Sequence, residues 1–334
     1  MFSQDFLPPG FDMTEFPQEK RIIRSIPGPE VKGSRLDLWL ASRFTYRSRS
    51  EWQQAVRRGE IILNGAKTRP ARILNGSEVI EFHFPDLPEP PVRSDYSLLA
   101  EHELFLAVNK PGNLPVHPSG CFFNHTLLML LRQKYGELYP VNRLDRETSG
   151  VVLFGRTPDA AARLSACLAS RSVQKKYTVY VHGCFPHDSF RAKGWLSPDT
   201  ASIVRKKRRF TPEKPDTPDC EDCDTELFLE KSSNSISRLG CLLHTGRLHQ
   251  IRATLFSLGF PVVGDKLYGL DDHIFDRFSD ERMTDDDRKT LIIERQALHA
   301  LRLKMTSPFD GKEMIFDAGL PEEFSVLEKQ FSLV

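Results

Sequence analysis

The nine residues Asn142-Arg143-Leu144-Asp145-Arg146-Glu147-Thr148-Ser149-Gly150 decide how this chain is read. They set one carboxylate in a short polar segment that ends in glycine and runs directly into the apolar stretch Val151-Val152-Leu153-Phe154. That order reads as a tight turn feeding a buried strand. A turn aspartate commonly does no more than cap nearby backbone amides. One flanked by arginines and held rigidly is also a natural centre for an active site.

Further blocks lie outward from this turn. Val108-Asn109-Lys110-Pro111-Gly112 and Val116-His117-Pro118 precede it, and Lys176-Tyr177 follows. Gly246-Arg247-Leu248-His249-Gln250-Ile251-Arg252, Gly264-Asp265-Lys266-Leu267-Tyr268-Gly269 and Arg295-Gln296-Ala297-Leu298-His299-Ala300 come later still. In this order, from about residue 95 to the C-terminus, the blocks resemble the RluA-type pseudouridine synthases, whose signature is Arg-Leu-Asp followed two residues later by Thr-Ser-Gly. Asn142 stands where that family more often carries His.

The resemblance implies an α+β fold with a large, mixed and mostly antiparallel sheet crossed by a catalytic cleft. It implies an enzyme that isomerises uridine to pseudouridine in RNA, with Asp145 as the catalytic aspartate and Arg252 as the cation that keeps it ionised. Tyr177 would stack on the target base and help move its proton. Arg143 would fill the space of the extruded uridine or hold the RNA backbone, and Arg247 would contact phosphate or order its loop.

The chemistry breaks a glycosidic bond, turns the freed uracil and rejoins it through carbon. A carboxylate can serve as nucleophile at the sugar or as a base that withdraws a sugar proton. Reaching a stacked base requires extruding the nucleotide. The family works without cofactor or metal, and the sequence carries no phosphate-binding glycine loop or dense His/Cys cluster. Cys220-x-x-Cys223 lies among Asp219, Glu221, Asp222 and Asp224 with no second pair, and reads as an acidic loop rather than a zinc site. His117, His249 and His299 are expected to make structural hydrogen bonds.

The chain has 334 residues, 40% hydrophobic and 27% charged, as in ordinary globular proteins with a packed core. Lys plus Arg (46) against Asp plus Glu (45) leaves +1, so any attraction for nucleic acid must come from local clusters. No apolar run approaches the roughly 20 residues of a membrane span, and the start lacks a secretory pattern. A cytoplasmic monomer with reduced thiols is expected.

Residues 1–32 read as a loosely ordered extension. Residues 33–84 hold two helix patterns, with Leu36, Leu38, Trp39, Leu40 and Phe44 assigned to the face of the first, and then Ile61-Ile62-Leu63 entering an Asn64-Gly65 turn. This order resembles the small RNA-binding module named after ribosomal protein S-four. Its arginines, with Arg47, Arg49, Arg57 and Arg58 as candidate phosphate contacts, outnumber the acidic residues around them. Residues 85–94 are a proline-rich linker, and residues 95–334 the catalytic domain, with helices expected near Leu127–Tyr135 and Asp159–Ala169. The run Arg205-Lys206-Lys207-Arg208-Arg209 is expected to be a solvated loop, with Arg205, Lys206 and Lys207 directed at RNA.

The expected substrate is large-subunit ribosomal RNA. A transfer RNA and a non-catalytic RNA-binding or ribosome-assembly role are the alternatives, and a glycosidase pairing Asp145 with another carboxylate is a third.

Overall fold

The computed structural model describes residues 16–17, 21–44, 47–83, 89–170, 173–202, 204 and 206–333. The chain forms two compact units, Pro17–Glu89 and Pro90–Val334, the second also taking in Phe16.

The small unit runs β1 (Ile22–Ser25), α1 (Leu36–Arg43), α2 (Arg49–Arg58), β2 (Ile61–Leu63), β3 (Ala66–Lys67) and β4 (Ile80–His83), with sheet order β1-β4-β2-β3. Helix α2 starts in a capping box, where Ser48 and Glu51 satisfy each other's backbone amides, and stops at Gly59 in the left-handed region. Asn64 (φ 50°) and Gly65 (φ 77°) both take positive φ between paired strands, the geometry that Asn-Gly favours. Leu36, Leu40, Trp52, Ile61 and Phe82 form the core. Leu38 does not join it and is exposed, because it falls about 100° from the Leu36/Trp39/Leu40 stripe. Asp37 is buried instead, binding Arg35 through both oxygens and accepting from Arg49 and Gln53 of α2.

Two expected boundaries need correction. Within residues 1–32, β1 pairs antiparallel with β4 along four residues, and Phe16 packs in the core of the large unit with its ring centroid 4.7 Å from that of His125. Backbone pairing and an apolar anchor order these parts, whose own sequence shows no period. Of the proline-rich stretch, residues 84–88 lie outside the described residues. Val92 is fully buried in the large unit's core, so the later half is structure rather than spacer.

The large unit is α+β. Its elements are β5 (Ser97–Glu101), β6 (Phe105–Lys110), α3 (Leu127–Tyr135), β7 (Tyr139–Pro140), β8 (Ser149–Gly155), α4 (Pro158–Ala169), β9 (Gln174–His182), β10 (Ser189–Pro198), β11 (Arg208–Thr211), β12 (Glu221–Ser232), β13 (Ile236–Leu243), α5 (Gln250–Ser257), α6 (His273–Ser279), α7 (Asp285–Leu291), β14 (Leu298–Thr306), β15 (Glu313–Asp317) and α8 (Glu322–Gln330). Among the described residues, eleven strands make one sheet in the order β11-β10-β12-β13-β9-β14-β8-β6-β5, with β15 on β14 and β7 on β8. Every pairing is antiparallel except β14 with β8. That exception brings Gly150, the last residue of the quoted turn, opposite Ala300. No helix among the described residues is long and apolar enough to cross a membrane.

Gly150 has φ 116°, and a Cβ there would lie 2.2 Å from the Ala300 carbonyl oxygen. Gly150→Ala is therefore expected to cost at least about 2 kcal/mol through backbone strain and displacement of β14. Urea unfolding should show a lower midpoint at unchanged slope, whereas Gly246→Ala, where no atom lies within 4 Å, should be near neutral. Equal midpoints for the two variants would refute this reading of the β8/β14 approach.

Candidate active site

Asp145 sits in the turn before β8, with Thr148 N–H donating to its carbonyl at 3.1 Å. Arg252, in the first turn of α5, donates from Nη1 to Asp145 Oδ2 at 2.7 Å. Its remaining donors grip Asp265, from Nε to Oδ2 at 2.6 Å and from Nη2 to Oδ1 at 2.8 Å. Asp265 is in turn fixed by the backbone amides of Leu267 and Tyr268, each donating at 2.9 Å. The guanidinium also lies over the Tyr268 ring, 5.0 Å from its centroid. A buried arginine is thus aimed by one buried carboxylate at a second, partly exposed one, a two-pronged geometry that lysine could not reproduce.

Burial alone would raise the Asp145 carboxyl, but the charge of Arg252 and its hydrogen bond override it and hold the group below its ordinary value. His249 precedes α5 with φ 57°, and its Nδ1 is 3.0 Å from the Tyr268 hydroxyl. Burial and then Arg252 push His249 down to about 4, so the imidazole 3.9 Å from Asp145 is neutral near pH 7. Tyr177 of β9 faces the same pocket. Burial, with Asp145 adding, pushes its hydroxyl up to about 12, so it remains a donor.

The turn is held in place residue by residue. Lys110, wholly buried at the end of β6, donates to the carbonyls of Pro111 (2.9 Å), Leu114 (2.8 Å) and Arg146 (3.1 Å). Burial, with Arg295 adding, lowers its ammonium well below the usual lysine range. Lys266 donates to Glu147 at 2.9 Å, and the Gln296 amide binds Thr148. Arg295 donates to the Glu147 carbonyl and to Ser149 Oγ, both at 3.0 Å, while Ser149 lies 2.8 Å from His299 Nδ1. Glu147 is therefore occupied as an anchor. The blocks that stand apart in the sequence converge beneath the turn.

The pocket above the turn has a volume of about 500 Å³ and is lined by Asp145, Tyr177, His249, Arg143, Arg247, Lys175 and Leu248 among others. Arg143 is exposed at its edge with no ion pair among the described residues. Arg247 is already engaged, donating to the carbonyl of Asp222 at 3.0 Å and to its carboxylate at 2.6 Å.

The other candidate phosphate contacts fare differently. Arg47 bonds Glu60 and lies over the Trp52 and Phe82 rings, Arg49 bonds Asp37, and Arg58 bonds Glu60. Arg57 is exposed without an ion pair among the described residues. Arg205 lies outside the described residues, and Lys206 is exposed. Lys207 needs correction: its ammonium is buried, bonded to Asp272 at 2.6 Å and 4.0 Å from the centroid of the Phe256 ring. It packs beneath the segment, and β11 begins at the next residue, so the basic run is not one solvated loop.

Asp265, Tyr268, Lys110 and Lys266 carry site geometry that local sequence reading left without a role. Their only signal was membership of the glycine-bounded blocks. Gly264 is needed there because it has φ 75° and a Cβ would fall 2.1 Å from the Arg295 carbonyl oxygen.

Comparison with known proteins places the chain in a family. The family model described as RNA pseudouridylate synthase matches residues 104–257. The uncharacterised RNA pseudouridine synthase YlyB of Bacillus subtilis is 28% identical over 89% of this chain and 94% of its own. The ribosomal large subunit pseudouridine synthase D of Xylella fastidiosa is 31% identical over 88% of either chain. The solved structure of human RNA pseudouridylate synthase domain containing 4 shares the fold, with TM-score 0.57 at 21% identity over 71% of this chain and 94% of that one.

Arg252→Gln would leave Asp145 and Asp265 without their shared cation. The expected loss is about 3–5 kcal/mol at pH 7. Both carboxyls are held below their ordinary values, so their contribution is present above the unfolded carboxylate pKa and lost as pH falls through the depressed values. Urea unfolding of the two proteins should therefore converge below about pH 4, near the unfolded value; a difference that does not shrink would refute the ion-pair account.

Proposed function

The chain belongs to the RNA pseudouridylate synthase family as an RluA-type member that isomerises uridine to pseudouridine in RNA, and we propose that Asp145 is its catalytic carboxylate and large-subunit ribosomal RNA its substrate. The observation that carries the first assignment is the 2.7 Å bond from the buried Arg252 to one oxygen of a carboxylate that opens on the pocket. The target reading is supported by relatives such as the Xylella fastidiosa enzyme, whose names specify the large ribosomal subunit.

In this reading, Arg252 fixes Asp145 Oδ2 and leaves Oδ1 to meet the sugar of an extruded uridine. An ionised oxygen held in a partly dry pocket can attack C1′ or withdraw the C2′ proton, and either route splits the N1–C1′ bond. The uracil then turns so that C5 faces C1′, and the carbon–carbon bond forms as the Asp145–C1′ bond breaks on the first route or as Asp145 returns its proton to C2′ on the second; the C5 proton leaves as N1 regains one. Tyr177 offers a flat ring for the base and a protonated hydroxyl for this exchange. His249 is neutral and does not compete for charge with Arg252. Arg143, at the pocket edge without an ion pair among the described residues, takes the place vacated by the uridine or holds the RNA backbone. The small unit adds phosphate contacts through cations such as Arg57, which has no ion pair among the described residues. The enzyme acts as a cytoplasmic monomer without cofactor.

Asp145→Asn is expected to abolish pseudouridine formation while leaving RNA affinity within about threefold, because the variant keeps the shape and loses the charge. Pseudouridine maps of total RNA from cells with and without the gene should differ at large-subunit ribosomal positions; a difference confined to transfer RNA would overturn the target, and turnover by the variant would overturn the carboxylate. With Asp145 ionised below its ordinary value and Tyr177 protonated up to about 12, kcat should be flat between about pH 5 and 8. A midpoint inside that window would show that another group supplies the base.

A further inference from the structure

We propose that Lys175 is a phosphate-binding residue of the active-site pocket, gripping the backbone of the same nucleotide whose base meets Tyr177. The inference rests on the RNA-modifying reading above and names a contact within that site.

Strand geometry is the first support. Lys175 and Tyr177 are two residues apart on β9, so they project from the same face, roughly 6.6–6.8 Å apart along the strand. Both line the one pocket that also holds Asp145. That spacing matches the reach from a nucleobase to the phosphate of its own nucleotide. A base stacked on Tyr177 with its sugar at Asp145 therefore brings a phosphate within range of the Lys175 ammonium.

The second support is charge. Lys176, the intervening residue on the opposite face, is paired with Glu230 at 3.0 Å. Lys175 has no carboxylate partner and no hydrogen bond among the described residues, although it is half-buried. Its strand neighbour is Leu303 of β14, and Leu168 and Ala169 at the end of α4 share the pocket wall. Burial lowers its pKa, with no neighbouring charge offsetting the effect. A half-buried cation among apolar side chains is costly unless an anion meets it. Asp145 is committed to Arg252, so the anion must come with the substrate, and RNA brings phosphodiesters.

The alternative role is mechanical, with Lys175 neutralising the carbonyl end of α4. The two roles differ in salt dependence. kcat/KM for pseudouridine formation should be measured on total RNA from cells lacking the gene, between about 50 and 200 mM KCl, for the wild type, Lys175→Gln and Lys175→Arg. Lys175→Gln is expected to lose about tenfold in kcat/KM, mainly through KM, and to show a log–log salt slope shallower by roughly 0.7 to 1. Lys175→Arg should restore the slope. A slope for Lys175→Gln equal to the wild type overturns the proposal, and a lowered melting temperature with that equal slope assigns the residue to α4. If Lys175→Gln does not fold, a Lys175→Arg slope shallower than wild type overturns it as well. Wild-type enzyme that forms no pseudouridine would instead refute the RNA-modifying reading, so the two failures are separable.

Discussion

Arg252 is the interaction on which the rest of the site depends. Its guanidinium is almost fully buried, and such a charge is tolerable only if each edge finds an anion or a hydrogen bond. Asp265 satisfies one edge with two bonds and is itself pinned by two backbone amides, so the arginine has little freedom. The remaining donor must point where Asp145 stands. The outcome is a carboxylate kept ionised against the opposing effect of burial, which is the condition for a nucleophile or base at neutral pH.

The turn carrying Asp145 is anchored through its backbone as much as through its side chains. Lys110, Arg295, Lys266 and Gln296 come from three separate blocks, yet each binds a residue between 146 and 149. Long cations suit this work because they reach buried carbonyls that no strand partner satisfies. Gly150 then lets β14 approach closely enough for its parallel pairing with β8. Rigidity at Asp145 thus follows from the partners that the polar groups of residues 146–149 find, which is how a site is held within the tolerance that catalysis needs.

Net charge near zero proves compatible with an RNA-directed protein because most cations are already matched. In the small unit, Asp37 and Glu60 take up Arg35, Arg49, Arg47 and Arg58, and in the large unit Asp222 holds Arg247 and Asp272 holds Lys207. Exposed pairs of this kind add little stability, but a paired cation is less available to phosphate. The cations without ion pairs among the described residues, such as Arg57, Arg143, Lys175 and Lys206, carry the argument for RNA contact, and two of them line the pocket.

What the sequence by itself determined is local. The polar turn ending in Gly150, the buried strand after it, the Asn64-Gly65 hairpin, and the helices at Leu127–Tyr135 and Pro158–Ala169 all follow from period, caps and turn chemistry within a few residues. Family resemblance added the association of Asp145, Tyr177 and Arg252. Only the tertiary structure decided which cations are spent. A basic run reads as solvated until folding buries Lys207 beneath it, and residues 22–25 read as irregular until β4 supplies their hydrogen bonds. The same holds for Asp265, whose role appears once Arg252 is buried between two carboxylates, one of them 107 residues away. Pairing and burial are set by which groups meet across the fold, and hydrogen bonds and desolvation act over a few ångströms of space whatever the separation along the chain.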